Sequence, residues 1–378
     1  MRLLINFATL KKGGGQNVGL NFINGLKKES FPEIDFYFAV AKDTQIEKRL
    51  KENGFTNILS LSQNAGKRIL QEITKVNLYI ANNKIDAIYT CFGYALIKKS
   101  VCQICGVADS NLLYPEVDFW EGYTGLSKLK KRIIDGYRLW GYKRARGLIF
   151  ENKAMETRAK LIFGPACKSI YIKPSFSIKN EKEEAVPLSN SDQTKLGLFF
   201  CGWQRNKGIM KIPEMLNEAR KIGFPLIVCI SASLDYSDQV CLDFLSEVNK
   251  YQVGDLIIYL GTIKKNQIKD LYEKVNYVFL LSKLESFSNN IIEAWYYKKP
   301  LIIADEEWSR GICNEAALYV NRNEPKEIID SILLASSDKT INRIVKEGTK
   351  EFLTYPSIEQ KVTEELAYVK EIYGMDKI

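Results

Sequence analysis

Residues 277–305 read YVFLLSKLESFSNNIIEAWYYKKPLIIAD, and this stretch decides the expected fold. The apolar run 277–281 predicts a buried strand, the polar residues 285–288 predict a turn, and helical spacing follows over 289–297. Pro300 then opens a second apolar run, LIIA. A strand, a turn, a short helix and another strand form the repeating unit of a parallel α/β sheet.

The turn before this short helix has the features of an anion site. Backbone N–H groups at a helix start can donate hydrogen bonds to a ligand, and the helix dipole favours negative charge there. Glu285 and Glu293 bracket the helix, and eight residues at a helical rise would separate them by roughly 12 Å, about the length of a sugar diphosphate. One carboxylate would meet a sugar and the other a ribose. The predicted donor contacts at the helix start are Ser286, Phe287, Ser288 and Asn289.

In this context the stretch resembles the E-x7-E motif of the retaining family 4 glycosyltransferases, which are group 1 transferases with the GT-B fold. The interval alone is unspecific, because two other pairs of glutamates in the chain repeat it. The strand before Glu285, the Ser-Phe turn and the strand KKPLIIAD carry the resemblance. It implies two Rossmann-like, doubly wound parallel-sheet domains that face each other across a cleft holding the donor. It also implies that Glu285 holds the donor sugar and Glu293 the ribose hydroxyls.

Twelve apolar runs alternate with helix-like segments and predict buried parallel strands. They are LLINFA, FYFAV, AIYTCF, VCQICGVA, GLIFE and SIYIK, then LGLFFCG, LIVCIS, LIIYLG, YVFLLS, PLIIA and ALYV. The polar, aperiodic residues 176–194 predict a linker between an acceptor-binding domain over 1–175 and a nucleotide-sugar-binding domain over 195–356. By resemblance, the final helix within 357–378 returns to the first domain.

No histidine occurs among the 378 residues. This excludes Ser-His-Asp and Cys-His nucleophilic catalysis and most zinc sites, so Asp, Glu, Lys, Arg, Tyr or backbone N–H groups must do the chemistry. The eight cysteines are spread through apolar runs, and Cys102 and Cys105 form one isolated C-x-x-C pair. That pattern favours core thiols over a metal or redox site. We expect neither a metal nor a resident cofactor, with the nucleotide sugar as co-substrate.

The charge is divided unevenly along the chain. Residues 1–175 carry 28 Lys and Arg against 15 Asp and Glu, a net +13, whereas 176–378 carry 26 against 30, a net −4. The basic first half predicts an anionic partner. The apolar start of the chain is too short for a signal peptide, and no run approaches the roughly 20 apolar residues of a membrane span. The expected location is cytoplasmic.

A second cluster lies in residues 199–208, FFCGWQRNKG, where a predicted strand ends at Gly202. Arg205 as a bidentate fork and Lys207 as a point charge suit a diphosphate at the carboxyl end of a strand. The family has an Arg and a Lys on the diphosphate here, so the resemblance assigns that role to these two residues and donor contact to Gly202. The tryptophan after the glycine and the displaced arginine depart from the family pattern. A solvated pair of loop charges is the alternative.

Three glycines, residues 13–15, follow the first predicted strand, before a helix expected to begin near Asn17. Glycine lets a ligand approach the backbone closely, and the family has a glycine-rich turn here that contacts phosphate or acceptor. Gly14 and Gly15 are therefore predicted donor contacts. An ordinary turn is the alternative.

The first half lacks the histidine that the family places near the reacting sugar. Asp109 follows a mid-domain strand, at the position where that histidine would stand, and is a predicted catalytic residue. Glu116 and Trp120 lie in a nearby mixture of carboxylates and aromatics that suits sugar hydroxyls and ring faces, so they are predicted acceptor contacts. A structural loop is the alternative for this stretch.

Residues 128–146, KLKKRIIDGYRLWGYKRAR, carry eight cationic side chains and one aspartate, interleaved with apolar and aromatic residues. A basic amphipathic helix with interfacial aromatics fits an anionic membrane surface. The alternative is that its apolar stripe packs on the sheet and its charges are solvated. A nucleic-acid partner is not expected, because no binding motif for one accompanies the stretch.

The sequence therefore predicts a hexosyltransferase that moves a sugar from a nucleoside-diphosphate sugar to an acceptor hydroxyl; retention is implied by the resemblance alone. A glycan or lipid-linked acceptor in surface polysaccharide or glycolipid assembly fits the charge balance, with the enzyme peripheral on the inner face of the plasma membrane. Two alternatives stay open. One is a GT-B sugar-nucleotide epimerase, and the other is a non-catalytic partner of another glycosyltransferase.

Overall fold

The computed structural model describes residues 1–97, 101–164, 166–176, 183–189, 193–337 and 339–375. The chain divides into two compact units. The first comprises Met1–Pro115, Tyr123–Ser177 and Tyr355–Ile378, and the second comprises Glu116–Gly122 and Ile178–Thr354. The predicted linker, 176–194, falls partly outside the described residues. Its described residues 183–189 and 193–194 lie in the second unit, where the Glu183 and Glu184 carboxylates pair with Lys269 and Lys264.

Thirteen strands lie within the described residues, each flanked along the chain by helices or turns. They are β1 Arg2–Asn6, β2 Asp35–Ala41, β3 Ile58–Leu61, β4 Ala87–Thr90, β5 Cys102–Val107, β6 Gly147–Phe150, β7 Ser169–Tyr171, β8 Lys195–Phe199, β9 Leu226–Ile230, β10 Ile257–Tyr259, β11 Tyr277–Leu280, β12 Leu301–Ala304 and β13 Leu318–Val320.

The helices that connect these strands vary from one turn to five. They are α1 Gly13–Gly25, α2 Gln45–Glu52, α3 Ala65–Gln71, α4 Asn77–Asn82, α5 Gly125–Arg144, α6 Lys153–Phe163, α7 Ile212–Lys221, α8 Gln239–Tyr251, α9 Ile268–Lys274, α10 Asn289–Tyr296, α11 Glu307–Cys313, α12 Pro325–Ser337, α13 Thr340–Phe352 and α14 Ile358–Met375. A π-helical turn, Glu72–Val76, joins α3 to α4.

Each unit contains one all-parallel sheet. The strand order is β3-β2-β1-β4-β5-β6-β7 in the first and β10-β9-β8-β11-β12-β13 in the second. In both, the chain starts at a central strand, moves outward in one direction and then returns to build the other side. The prediction of an α/β fold with two doubly wound parallel sheets is therefore confirmed. All twelve predicted runs contain strands, whereas β3 was missed.

Two predicted boundaries were wrong. The helix after β1 begins at Gly13 rather than near Asn17, so the three glycines form its first turn. β8 ends at Phe199, three residues before Gly202, because the chain turns away from the sheet at this point and continues as short 3-10 turns to α7.

The last helix, α14, is part of the core of the first unit. Val362, Leu366, Val369 and Ile372 are buried there with side chains of β1, β2 and α1. The approach is close: a Cβ added to Gly25 of α1 would lie 2.6 Å from the Ile358 side chain.

A buried charge cluster fixes α14 further. The Lys361 ammonium donates to the Glu151 carboxylate after β6, and it lies 3.4 Å from Glu365. All three residues are less than 9% exposed. Burial alone would lower the pKa of Lys361, but the two carboxylates outweigh burial and raise it. The cluster therefore ties the last helix of the chain to the first sheet through charge as well as apolar packing.

Candidate functional site

The second sheet changes winding direction between β8 and β11, which are neighbours although 77 residues lie between Phe199, the end of β8, and Tyr277, the start of β11. In open parallel sheets, ligands bind outside the carboxyl ends of the strands at such a switch point, because the two following loops diverge there. The loop after β8 carries Lys207, and the loop after β11 carries Glu285. The topology therefore brings these two predicted residues to one place.

Lys207 and Glu285 form a direct ion pair. The Lys207 Nζ donates to Glu285 Oε1 at 2.5 Å, and the two side chains are 25% and 11% exposed. A primary ammonium keeps two further N–H bonds, and the carboxylate keeps a second oxygen. The pair can therefore offer a cation to a phosphate and an acceptor to sugar hydroxyls from adjacent atoms.

Backbone contacts hold the two loops together beside this pair. The Lys283 N–H donates to the Asn206 carbonyl at 2.7 Å, and Asn206 Nδ2 donates to the Leu284 carbonyl at 2.9 Å. Gly208 has a left-handed φ of +78°, and a Cβ there would lie 2.3 Å from the Leu281 carbonyl oxygen. Only glycine allows the β8 loop to approach the β11 loop this closely.

The short helix after the β11 loop, α10, begins at Asn289, as predicted. Its N-cap Ser288 makes no side-chain cap bond to the helix start among the described residues, so the first backbone N–H groups of α10 have no side-chain cap there. Asn290 Nδ2 donates to the Phe200 carbonyl at 2.9 Å, so the helix start is fixed to the end of β8. Ser286 and Phe287 lie half-buried in the loop that leads to it.

Glu293 lies inside α10 and is 8% exposed. The hydroxyl of Tyr272, on α9, donates to Glu293 Oε2 at 2.9 Å. Burial raises the pKa of Glu293, and the bond from Tyr272 offsets this rise only in part. Only Glu293 of the two motif glutamates is helical, since Glu285 precedes α10 by four residues. The separation of roughly 12 Å, which assumed helix throughout, is therefore not supported.

Arg205 has a partner that the sequence did not suggest. Its guanidinium forms an ion pair with Asp243 of α8, and its side chain lies against Gly122. Both paired side chains are 33% exposed. Arg205 thus lies two residues before Lys207 in the same 3-10 turn, with part of its donor capacity used by Asp243.

The remaining residues of this loop are arranged around Trp203. Its indole N–H donates to the Ser233 carbonyl at 2.7 Å, and its ring packs near Phe244. Gly202 is exposed, and a Cβ there would meet no described atom within 4 Å. Burial raises the pKa of the neighbouring Cys201 thiol to about 12, so this thiol is not a nucleophile at neutral pH.

Four charged residues near the β11 loop were missed. Lys283 pairs with Glu121, which belongs to the 116–122 segment of the second unit, and this pair lowers the pKa of Glu121. Arg322, after β13, is 7% exposed and donates from Nε to the Leu281 carbonyl at 3.0 Å. Burial lowers the pKa of Arg322, and the negative charge of Glu306 offsets this lowering only in part. Burial also raises the pKa of Glu306. Lys283 is two residues from Glu285 in the sequence, so its position next to the motif could have identified it as a candidate site residue.

The first unit contains Gly14, Gly15 and Asp109. A Cβ at Gly14 would find no described atom within 4 Å, whereas one at Gly15 would lie 3.2 Å from Leu10. Asp109 follows β5 and accepts from two side chains of α5: Arg138 Nη1 at 3.1 Å and the Tyr142 hydroxyl at 2.8 Å. The structure therefore gives Asp109 an anchoring contact with α5 beside its predicted catalytic role.

The predicted acceptor residues lie in the other unit. Glu116 is exposed and Trp120 is half-buried, and both lie in the segment Glu116–Gly122, which belongs to the second unit. The Trp120 ring packs edge-to-face on Phe119 with centroids 5.0 Å apart. Their acceptor role stays a prediction, as do the roles of the donor-binding residues.

Neither a metal centre nor a membrane span is found in the part of the chain that the structure describes. No group of three or more Cys, Asp or Glu side chains there is arranged to hold a metal ion. No described helix is both long enough and apolar enough to cross a bilayer.

Comparison with known proteins extends the sequence resemblance. Residues 242–352 match the family model described as Glycosyl transferases group 1, a segment that includes Glu285 and Glu293 but neither Arg205 nor Lys207. The predicted resemblance to group 1 glycosyltransferases is confirmed over this segment, and the match supports sugar transfer as the class of activity. No curated protein matches the chain in sequence.

Solved structures match over nearly the whole chain. Sucrose-phosphate synthase from Thermosynechococcus elongatus has a TM-score of 0.73 at 12% identity, covering 99% of this chain and 100% of its own. Anabaena HepE, solved with UDP and glucose, has a TM-score of 0.67 at 14% identity, and the match covers 97% of this chain and 99% of HepE. A glycosyltransferase from Rickettsia africae has 0.67 at 12%, covering 98% of each chain. At these identities the likeness shows the GT-B fold of two Rossmann-like domains.

Proposed function

We propose that this protein is a retaining hexosyltransferase that moves a sugar from a nucleoside-diphosphate sugar to an acceptor hydroxyl. The observation that carries the proposal is the Lys207–Glu285 pair at the switch point of the second sheet, beside the start of α10. A cation, a carboxylate and helix-start N–H groups within one loop cluster match the three parts of such a donor: diphosphate, sugar and bridging oxygen.

Departure of the nucleoside diphosphate is the step that needs stabilisation, because negative charge grows on the leaving oxygen. In the proposal, Lys207 and the N–H groups of residues 286–289 neutralise that charge, and Arg205 contributes through the donors that Asp243 leaves available. Each preorganised donor of this kind lowers a barrier by about 2.7–4 kcal/mol. No metal ion is required in this scheme, since the protein's own cations and amides supply the charge.

The donor can bind without breaking the Lys207–Glu285 pair. The diphosphate would accept from the two ammonium N–H bonds that Glu285 leaves available, and the second oxygen of Glu285 would accept from sugar hydroxyls. Glu293, fixed at Oε2 by Tyr272, offers Oε1 to the ribose hydroxyls. These two roles follow the resemblance of the segment to group 1 transferases.

The acceptor in this proposal is a glycan or a lipid-linked sugar in surface polysaccharide or glycolipid assembly. Asp109 would stabilise charge near the reacting sugar, Glu116 and Trp120 would contact the acceptor, and Gly14 would approach the ligand with bare backbone. Support for the Gly14 role is its open surroundings at the first turn of α1. HepE, a structural relative, was solved with UDP and glucose, which makes UDP-sugars the first donors to test.

A thermal-shift screen against UDP-, GDP- and ADP-sugars tests donor binding, since a ligand at 100 times its Kd stabilises the folded state by about 2.7 kcal/mol. A donor that binds is then incubated with the enzyme and simple sugar acceptors, and NMR of the product reports its anomeric configuration. We expect one nucleotide class to stabilise the protein and the product to keep the donor's configuration. Conversion of the donor without acceptor would favour an epimerase. Failure of every nucleotide to bind would favour a non-catalytic partner.

A further inference from the structure

Helix α5 has two halves with different surroundings. In the second half, Gly141 and Tyr142 are buried, and the Tyr137 ring packs edge-to-face on Tyr94 with centroids 5.1 Å apart. In the first half the apolar side chains point into solvent instead of the sheet. Their exposed fractions are 86% for Leu126, 53% for Leu129, 64% for Ile133 and 39% for Ile134. Trp140, beyond them, is 42% exposed.

A second apolar ridge lies on the segment formed by α3, the π-helical turn and α4. Leu70, Ile73 and Leu78 are 63%, 43% and 62% exposed there. Tyr94 contacts both helices: its hydroxyl interacts with Arg68 of α3, and Gly141 of α5 approaches its Cβ. We call the exposed apolar residues of α5 the apolar face; they are Leu126, Leu129, Ile133, Ile134 and Trp140.

Basic side chains surround this face. Helix α5 carries seven Lys and Arg against one acid, Asp135, a net +6. Asp135 is already engaged, since Asn111 Nδ2 donates to it at 2.9 Å and Arg138 lies 3.8 Å away. The Arg144 guanidinium stacks over Trp140 at 4.4 Å, a contact that keeps both an apolar ring and a charge at the surface.

From this arrangement we infer that the apolar face and the basic side chains of α5 bind the surface of an anionic lipid bilayer. A helix with exposed leucine, isoleucine and tryptophan beside many cations lies in the plane of the headgroups, with its apolar side inserted and its charges on anionic lipid. A second copy of the chain fits less well, because a two-fold contact would bring two helices of net +6 together. This inference deepens the proposed function by naming where a lipid-linked acceptor would be met.

The test is co-sedimentation of the full chain with vesicles of phosphatidylcholine alone and of phosphatidylcholine with a minor fraction of phosphatidylglycerol. We expect binding to the anionic vesicles only, weakened by added salt because surface charges are screened. Leu129→Glu and Ile133→Glu should each reduce the bound fraction at least about tenfold, since each removes an inserted side chain and adds a repelled charge.

Leu353→Glu is the matched control, because Leu353 is 76% exposed and lies in the second unit. It should bind vesicles like the wild type. Equal binding to both vesicle types, equal loss in the control, or no binding at all would overturn the inference. Two further results would overturn it: the protein binds a nucleic-acid duplex but not anionic vesicles, or it forms a dimer that Ile133→Glu converts to monomer while the wild type does not bind anionic vesicles.

A nucleotide thermal shift on the same variants separates this inference from the proposed function. The α5 variants should keep the wild-type shift, since the apolar face lies in the first unit and the Lys207–Glu285 pair lies in the second. Vesicle binding without any nucleotide-induced thermal shift would support the membrane-binding surface and contradict the proposed transferase function. A thermal shift without vesicle binding would support the transferase function and contradict the membrane-binding surface.

Discussion

The Lys207 ammonium lies 2.5 Å from the Glu285 carboxylate, although 78 positions separate the two residues in the chain. The contact exists because β8 and β11 are adjacent in the second sheet and their following loops are joined by backbone bonds. In the absence of donor, each residue neutralises the other, so neither charge is left unpaired in a partly buried site.

Replacing Lys207 by alanine should lower kcat at least about a hundredfold, because one preorganised donor to the leaving diphosphate is lost. Lys221→Ala on α7, an exposed lysine paired with Glu218, is the matched control and should keep wild-type kcat. Steady-state kinetics with the donor found in the nucleotide screen measures both. A Lys207→Ala enzyme with near-wild-type turnover would remove Lys207 from the mechanism.

Gly208→Ala should destabilise the second unit and weaken nucleotide binding. The substitution combines a left-handed φ with a Cβ placed 2.3 Å from the Leu281 carbonyl oxygen, so the two loops must separate. Gly223→Ala tests the backbone strain alone, since Gly223 has φ +69° and a Cβ there meets no atom within 4 Å in the described structure. Strain at such a position is worth about 1–3 kcal/mol. Urea unfolding should show a larger loss for Gly208→Ala, and equal losses would contradict the close approach.

The stability contribution of Glu293 should depend on pH. Burial raises its pKa in the folded state, so the folded protein holds that proton more tightly than the unfolded chain does. Ionised Glu293 therefore lowers the free energy of unfolding once pH exceeds the unfolded value, about 4.3. We expect Glu293→Gln to be more stable than wild type at pH 7, with the difference shrinking as pH falls toward 4. Urea titrations at a series of pH values test this, and a difference that stays constant with pH would refute it.

Nucleotide affinity should change in the opposite direction for the same variant. Glu293→Gln keeps an acceptor for Tyr272 but loses the charge that would accept from ribose hydroxyls, so calorimetry should show a weaker nucleotide. Tyr272→Phe should weaken binding less, because it removes only the group that orients the carboxylate. Unchanged affinity in Glu293→Gln would mean that Glu293 does not contact the ribose.

Lys361→Met should strongly destabilise the first unit. Glu151 and Glu365 would remain buried without their shared cation, a change that typically removes about 3–5 kcal/mol. Part of this loss should be recovered at acidic pH, because burial raises the pKa of Glu365 and favours its protonated form. Lys370→Ala on the same helix is the control: its pair with Glu33 is 44% and 49% exposed, so it should lose less than about 1 kcal/mol. Chemical denaturation of both variants gives the comparison.

The fold was largely predictable because parallel strands buried on both faces leave continuous apolar runs. β3 was missed since it is a short edge strand, Ile58–Leu61, whose residues are mostly half-buried and include a serine. Lys207 and Glu285 could be singled out from their local motifs, and the structure places the two side chains in contact; their roles stay predictions. The partners of Arg205 and Lys283 were not, because Asp243 and Glu121 reach them from distant segments that no local pattern connects.

The glycine turn shows a different limit. Three consecutive glycines disfavour a helix interior, so the helix was expected to start after them. In the structure they occupy its first turn, where Gly13 takes φ +63° and the helix continues through Phe22 and Ile23, which are buried in the core. Tertiary packing of the later residues therefore outweighs the local preference of the glycines.

The place of α14 in the core of the first unit has a consequence for synthesis on the ribosome. The strands of that unit leave the ribosome early, yet the helix that covers part of their apolar surface is translated only after the second unit. The second unit, complete by residue 354, can finish folding sooner than the unit that precedes it. We therefore expect the sheet of the first unit to keep part of its apolar surface uncovered while the second unit is synthesised, a state that favours aggregation or chaperone binding.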